Sequence, residues 1–320
     1  MDLTSEKIVV VIRSAGERTL NACVELVLRE VDPTLLHVVE LVPFEEALRA
    51  SYKIGIQSGA KWMMTLDADV LLRENAIRDF IAEAEKLPES FFHIEGLIFD
   101  KITGQYRKAG HRMYRVSKLD EALSMIPADG EVIRPEFTTI SRMQQRGYKA
   151  LESGTVFGIH DFEQYYEDVY RKCLVHSQKH KEWVPKLIDR WKTRATDDTD
   201  FIIALRALYD GLVLTTDVKI DKRVYHDAAK IALKDLGLSE KSDFKFAENL
   251  TSIVENVLIE EGPVPVVILP KSPDFKPPNR FQRIGSKIKE VGIIRAIFYF
   301  SGLVILKIGH FFTNLGSRRV

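Results

Sequence analysis

The chain of 320 residues carries only two cysteines, Cys23 and Cys173. That excludes a disulfide framework and a zinc spacing, so both read as reduced packing residues inside helical patterns. Net charge is missing as well: 46 Lys and Arg balance 46 Asp and Glu. No global field then draws the chain to nucleic acid. No uncharged apolar run reaches the roughly 20 residues that cross a bilayer. The opening MDLTSEKIVVVIRS lacks the basic region, apolar core and small-residue cleavage site of a secretion signal. The expectation is a cytoplasmic protein. Internal repeats and low-complexity tracts are missing too. Proline is scarce except in one place, since six of the twelve fall between Gly262 and Asn279.

What is present is an ordinary globular balance, 45% hydrophobic and 29% charged. Lys7 to Arg13 (KIVVVIR) reads as a buried parallel strand. A helix is expected over Arg18 to Val31, a strand over Leu36 to Val42 and a helix over Phe44 to Ser58. Next come a strand over Lys61 to Leu66 and a helix over Asn75 to Lys86. This alternation predicts an α/β fold, a mostly parallel sheet flanked by helices.

After Phe91 to Asp100, another strand, the pattern changes. A hairpin is expected around Ala109-Gly110, then short helices over Asp120 to Met125 and Pro135 to Arg146. Thr155 to Ile159 reads as a strand ending on His160-Asp161. Helices are expected at 162–180, 183–192, 198–209 and 246–260. The domain reading follows: a core at 1–161, a helical extension at 162–261, a Pro-rich linker at 262–279 and a basic, apolar helix at 280–320.

Asp67 and Asp69 stand where the third strand ends, and ligands of open parallel sheets bind beyond the carboxyl ends of strands. Residues two apart on extended chain point the same way. Two such carboxylates can share a hard divalent cation with a diphosphate, and the cation then stabilises the leaving group.

The stretch KWMMTLDADVLLRENAI resembles the strand, DxD motif and following helix of GT-A fold glycosyltransferases, most like glycosyltransferase family 2. IVVVIRSAGERTL resembles that family's first strand and nucleotide-facing loop. The resemblance spans about Lys7 to Asp161. It implies a hexosyltransferase-type enzyme using a nucleotide-diphosphate sugar donor with Mn2+ or Mg2+. It implies Asp69 as principal metal ligand, with Asp67 serving the ribose or a bound water. Arg13, Ser14, Glu17 and Glu40 then line the nucleotide pocket. Where the family often has Arg-Asn-x-Gly, this chain has Tyr52-Lys53-Ile54-Gly55, so Lys53 faces a phosphate and only the glycine matches.

The family's acidic catalytic pair, arginine, glycine and following histidine match two constellations. The preferred one is Pro135-Glu136, Arg142, Gly147-Tyr148 and His160. There Glu136 is the base that deprotonates the acceptor hydroxyl, and His160 is a further metal ligand. The other is Asp197, Asp198 and Asp200 with Arg206, Gly211 and His226, which also reads as a helix cap. Tyr165, Tyr166 and Trp183 offer faces for a sugar acceptor or for helix packing.

From Lys271 onward ten Lys and Arg meet only Asp274 and Glu290. Their neighbour VGIIRAIFYFSGLVILKIGHFF is the most apolar stretch of the chain. Such a helix suits an anionic membrane surface, hence a lipid-linked or lipopolysaccharide-type glycan acceptor, or else a homo-oligomer contact. Three alternatives stand beside the transferase. One is a haloacid-dehalogenase-like phosphatase with Asp67 as nucleophile. Another is a sugar nucleotidyltransferase, for which Ser14-Ala15-Gly16 is a poor phosphate loop. The third is an inactive membrane-associated scaffold.

Overall fold

A computed structural model describes residues 8–179, 183–216, 218–219, 221–245 and 249–264. The basic helix expected at 280–320, and the expected linker past residue 264, lie outside the described residues.

The opening apolar run forms β1 (Ile8–Ser14), buried at every position. Side chains alternate across a strand, so the run serves two cores. Ile8, Val10 and Ile12 join a cluster with α1 (Leu20–Leu28) and α3 (Ala76–Ala84). Val9 and Val11 join another with α2 (Phe44–Ser58), α4 (Leu119–Ser124) and α5 (Pro135–Gln145). A continuous β-branched run requires helices on both faces in this way. β2 (Leu36–Glu40) and β3 (Trp62–Asp67) flank β1, both parallel to it.

The later strands make the sheet mixed. β7 (His111–Arg115) runs antiparallel to β3 and to β5 (Phe91–Asp100). β8 (Lys149–His160) is parallel to β5, and β4 (Val70–Leu72) is antiparallel to β8. The order is β2-β1-β3-β7-β5-β8-β4, with β6 (Gln105–Arg107) paired to β5. The hairpin expected around Ala109-Gly110 is therefore replaced by one across Lys101–Gly104. Asp100 fixes that turn by accepting the Thr103 N–H at 2.7 Å and the Thr103 hydroxyl at 2.9 Å.

Only Ala68 and Asp69 separate β3 from β4. Four ladder spacings lie between these strands in the sheet order. Laid flat they stand about 19 Å apart, at about 4.8 Å per spacing. From Asp67 to Val70 the chain reaches at most about 11 Å. The sheet must therefore curl until its β8–β4 edge meets the end of β3.

Helices α6 (Tyr166–Lys179), α7 (Val184–Arg194), α8 (Thr199–Val213) and α9 (His226–Asp235) build a third cluster around Trp191 and Phe201. α10 (Leu250–Glu260) returns to the first core through Leu250 and Val254. Cys23 and Cys173 are free and buried. Among the described residues no helix is long and apolar enough to cross a membrane.

Candidate functional site

Arg13 pairs in register with Asp67 across the β1–β3 ladder. It shares its side of β1 with Val9 and Val11, the side that α5 covers. Its Nη2 lies 2.7 Å from Asp67 Oδ1, and its Nε donates to the same oxygen at 3.0 Å. Its Nη1 donates to Glu136 Oε1 at 2.8 Å. The Tyr114 hydroxyl donates to that oxygen too, at 2.8 Å, while Arg112 takes Oε2. Burial pushes the Glu136 carboxyl up, but the Arg112 and Arg13 guanidiniums outweigh it and bring it down from 4.5 to about 2. The structure thus brings Glu136 to the cluster with both oxygens engaged, as an ionised anchor for Arg13.

A second group meets beside the first. Val70 of β4 lies opposite His160 of β8, and the Asp161 N–H donates to the Asp69 carbonyl at 3.2 Å. His160 Nε2 lies 3.3 Å from Asp69 Oδ1. Its Nδ1 lies 3.0 Å from both Asp100 Oδ2 and Asp161 Oδ2. Burial lowers the imidazole pKa, yet Asp161 and Asp69 reverse that and raise it well above the ordinary value. Asp161 adopts φ 59°, a left-handed backbone rare outside glycine and typical of sites whose geometry is over-determined. Gly110, at φ 69°, gives the ring its room: a Cβ there would stand 2.5 Å from Val70 Cγ2 and 3.1 Å from His160 Cδ2.

Asp69, His160 and Asp161 place one ligand atom each within 4.8 Å of one another. Two carboxylate oxygens and an imidazole suit Mn2+, with Mg2+ favoured by the oxygens. Asp69 Oδ1 is buried and meets only His160 Nε2, at 3.3 Å, which leaves it a lone pair that a cation can take. Asp100 and Asp161 both meet His160 Nδ1, which holds the ring with Nε2 turned to Asp69. Asp67 stands outside this set, with its side chain 33% exposed and clamped on Arg13.

Ser14 and Glu17 fold the loop after β1 onto itself. The Ser14 hydroxyl donates to Glu17 Oε2 at 3.0 Å, and the Ala15 N–H to the same oxygen at 2.6 Å. Glu40 is exposed beside Ser14 at the end of β2. Lys53 is exposed along α2, and among the described residues no ion pair links it to the cluster. The second constellation disperses. Asp198 caps α8 by accepting the Asp200 N–H at 2.9 Å, and Lys101 pairs with both acids. Arg206 pairs with Asp210 and Asp235, and exposed His226 meets Glu167.

Four contributors escaped the sequence reading as site residues: Asp161, Lys172, Asp100 and Arg112. Asp100 ends an apolar strand just as Asp67 does, so the same strand-end logic points to it. Lys172 falls on the buried stripe of α6, between Val169 and Cys173, where a charge needs a partner. Arg112 alternates inward on β7, a short strand without a clear period.

No family model matches the chain. No curated protein matches it either. Solved structures do align. A mannosyltransferase from Pyrobaculum calidifontis, in complex with GDP-Man and Mn2+, matches at 11% identity and TM-score 0.40 over 80% of each chain. A glycosyltransferase involved in glycosylation of the major capsid of PBCV-1 matches at 14% and 0.34, over 46% of this chain and 82% of that one. A 4-diphosphocytidyl-2C-methyl-D-erythritol synthase from Anaerococcus prevotii matches at 10% and 0.37, over 49% and 90%. At these TM-scores the likenesses carry no argument about activity. The α/β class rests on the sheet and its flanking helices.

Proposed function

We propose that the chain is a glycosyltransferase, most like glycosyltransferase family 2, moving a sugar from a nucleotide-diphosphate donor to a glycan or lipid-linked hydroxyl. One observation carries the proposal: the Asp67-Ala68-Asp69 loop and His160-Asp161 meet at the carboxyl ends of the strands, where sheets of this class bind ligands. Asp69, His160 and Asp161 would hold Mn2+ or Mg2+, which when bound supplies positive charge to a departing diphosphate.

The residues themselves suggest the rest. A cavity of about 380 Å3 opens past β1 and β2, lined by Ala15, Val42, Lys222 and Arg223. It is the proposed nucleotide side; Glu167 and His226 line it too, and Lys222 and Arg223 would exchange their partners Asp168 and Asp221 for phosphates. Arg13, fixed by Glu136 and Asp67, holds the loop between donor and cation in place. A larger cavity, about 740 Å3, is lined by Trp183 and Arg190 behind the Asp100 turn and is the proposed acceptor side. Within this reading Glu136 positions Arg13, since a carboxyl held near 2 is a weak proton acceptor. A cytoplasmic enzyme at a membrane surface, engaged through 280–320, completes the proposal.

Donor hydrolysis tests it. Incubation with UDP-, GDP-, dTDP- and CMP-linked sugars should release nucleotide from one class only, and only with a divalent cation. Asp69→Asn should abolish release. Asp100→Asn, which weakens the His160 support together with the Thr103 and Arg107 contacts of Asp100, should lower it about 10–100-fold. Release that ignores both substitutions would sink the proposal.

A further inference from the structure

Asp69 and Asp161 share a partner that the cation reading does not use. Lys172, on α6, donates from Nζ to Asp69 Oδ2 and to Asp161 Oδ1. Its side chain is only 18% exposed, against 7% for Asp69 and 4% for Asp161. The three carboxylates here, Asp69, Asp100 and Asp161, already face two basic side chains besides His160, namely Lys172 and Arg107.

An ammonium donating to two carboxylates does the electrostatic task of a metal ion: it holds like charges together. Both cations draw on the same two carboxylates, Lys172 through Asp69 Oδ2 and Asp161 Oδ1. A divalent ion that joins Asp69 and Asp161 while Lys172 stays in place meets a positive charge within the same coordination sphere. Repulsion at that range, among side chains this little exposed, is stronger than in open water. Lysine is a point charge on a flexible stem and can withdraw without a backbone change.

We infer that Lys172 is the resident cation of this site: it competes with the divalent ion for Asp69 and Asp161, and the ion binds only as the lysine leaves. The inference rests on the reading of Asp69, His160 and Asp161 as a cation site. It gives α6 a role in metal affinity that the ligands alone do not reveal. Lys172 acts as a positioning residue that keeps the two carboxylates together before the ion arrives.

Mn2+ titration of the full chain, followed by loss of the free-ion signal in electron paramagnetic resonance, tests this without turnover. Lys172→Met is expected to bind Mn2+ at least about tenfold more tightly than wild type, the equivalent of about 1.4 kcal/mol. Lys172→Arg, which keeps the charge, should bind no more tightly than wild type. In metal-free buffer Lys172→Met should melt earlier than wild type and recover on adding Mn2+, by mass action on the folded state. If Lys172→Met does not fold, Lys172→Gln keeps a donor for the carboxylates and should show the same gain. Equal Mn2+ affinity in wild type and the neutral variants would overturn the competition while leaving the cation site intact. Absence of Mn2+ binding in every form would overturn the cation site and the inference with it.

Discussion

Arg13 joins the two carboxylates that sequence reasoning singled out separately. It is buried at 4%, and it pairs with Asp67 and Glu136 on opposite edges of one guanidinium. A bidentate, planar cation is what such a bridge requires, and lysine would not replace it. Glu136 has its pKa depressed by Arg112 and Arg13 against the effect of burial, so the ionised form stabilises the fold. The stabilisation is complete above the ordinary value of 4.5 and is lost as pH falls through about 2. Glu136→Gln should therefore be less stable than wild type at neutral pH, since Arg13 and Arg112 lose an anion. The gap should shrink as pH approaches about 2, read by denaturant midpoints across the acid range. A gap that stays constant through that window would contradict the role given to Glu136. At this scale Asp69 and His160 could be singled out because one follows and the other ends a recognisable apolar strand. Glu136 was legible as an acid opening a helix. Its engagement by Tyr114 and Arg112 was not, because those partners arrive from β7, whose place between β3 and β5 has no local signature.

β4 is the shortest element to matter. Three residues, Val70 to Leu72, pair with β8 and set Asp69 beside Asp161. No periodicity exists in so short a run, so the sequence reading passes through it toward α3. Two long elements were read well: α2 is found at Phe44–Ser58 as expected, and β5 at Phe91–Asp100, whereas β8 (Lys149–His160) was expected only over Thr155 to Ile159. α9 was missed because its apolar positions, Ala229, Ala232 and Leu233, form a narrow stripe among charges. α2 also changes the reading of Gly55. Sequence comparison made it the surviving glycine of a donor-binding motif. The structure gives it a packing task, since a Cβ would stand 2.6 Å from Leu119 Cδ1 and 2.7 Å from Met63 Sδ. Gly55→Ala should cost about 1–3 kcal/mol in unfolding free energy through overpacking. A neutral or stabilising result would show that the Leu119 and Met63 side chains move aside at little cost and would contradict the packing task given to Gly55.

The whole molecule is organised by the curl of one sheet. A chain that leaves β3 and must reach the far edge in two residues forces the sheet to bend. The bend then gathers strand ends from β3, β5 and β8, which supply Asp69, Asp100 and His160. This closure is a property of strand order, which no single segment encodes, so the sequence shows the strand-end acids without showing that they meet. α6 completes the site from outside the sheet through Lys172. The central claim is that this gathered cluster binds a nucleotide diphosphate through a divalent cation. Calorimetric titration of UDP, GDP, CMP and dTDP into wild type and Asp69→Ala, with and without Mn2+, tests it most directly. The account predicts binding of one nucleotide, dependent on Mn2+ and absent in Asp69→Ala. Binding of no nucleotide under any condition, or binding untouched by Asp69→Ala and by Mn2+, would contradict it.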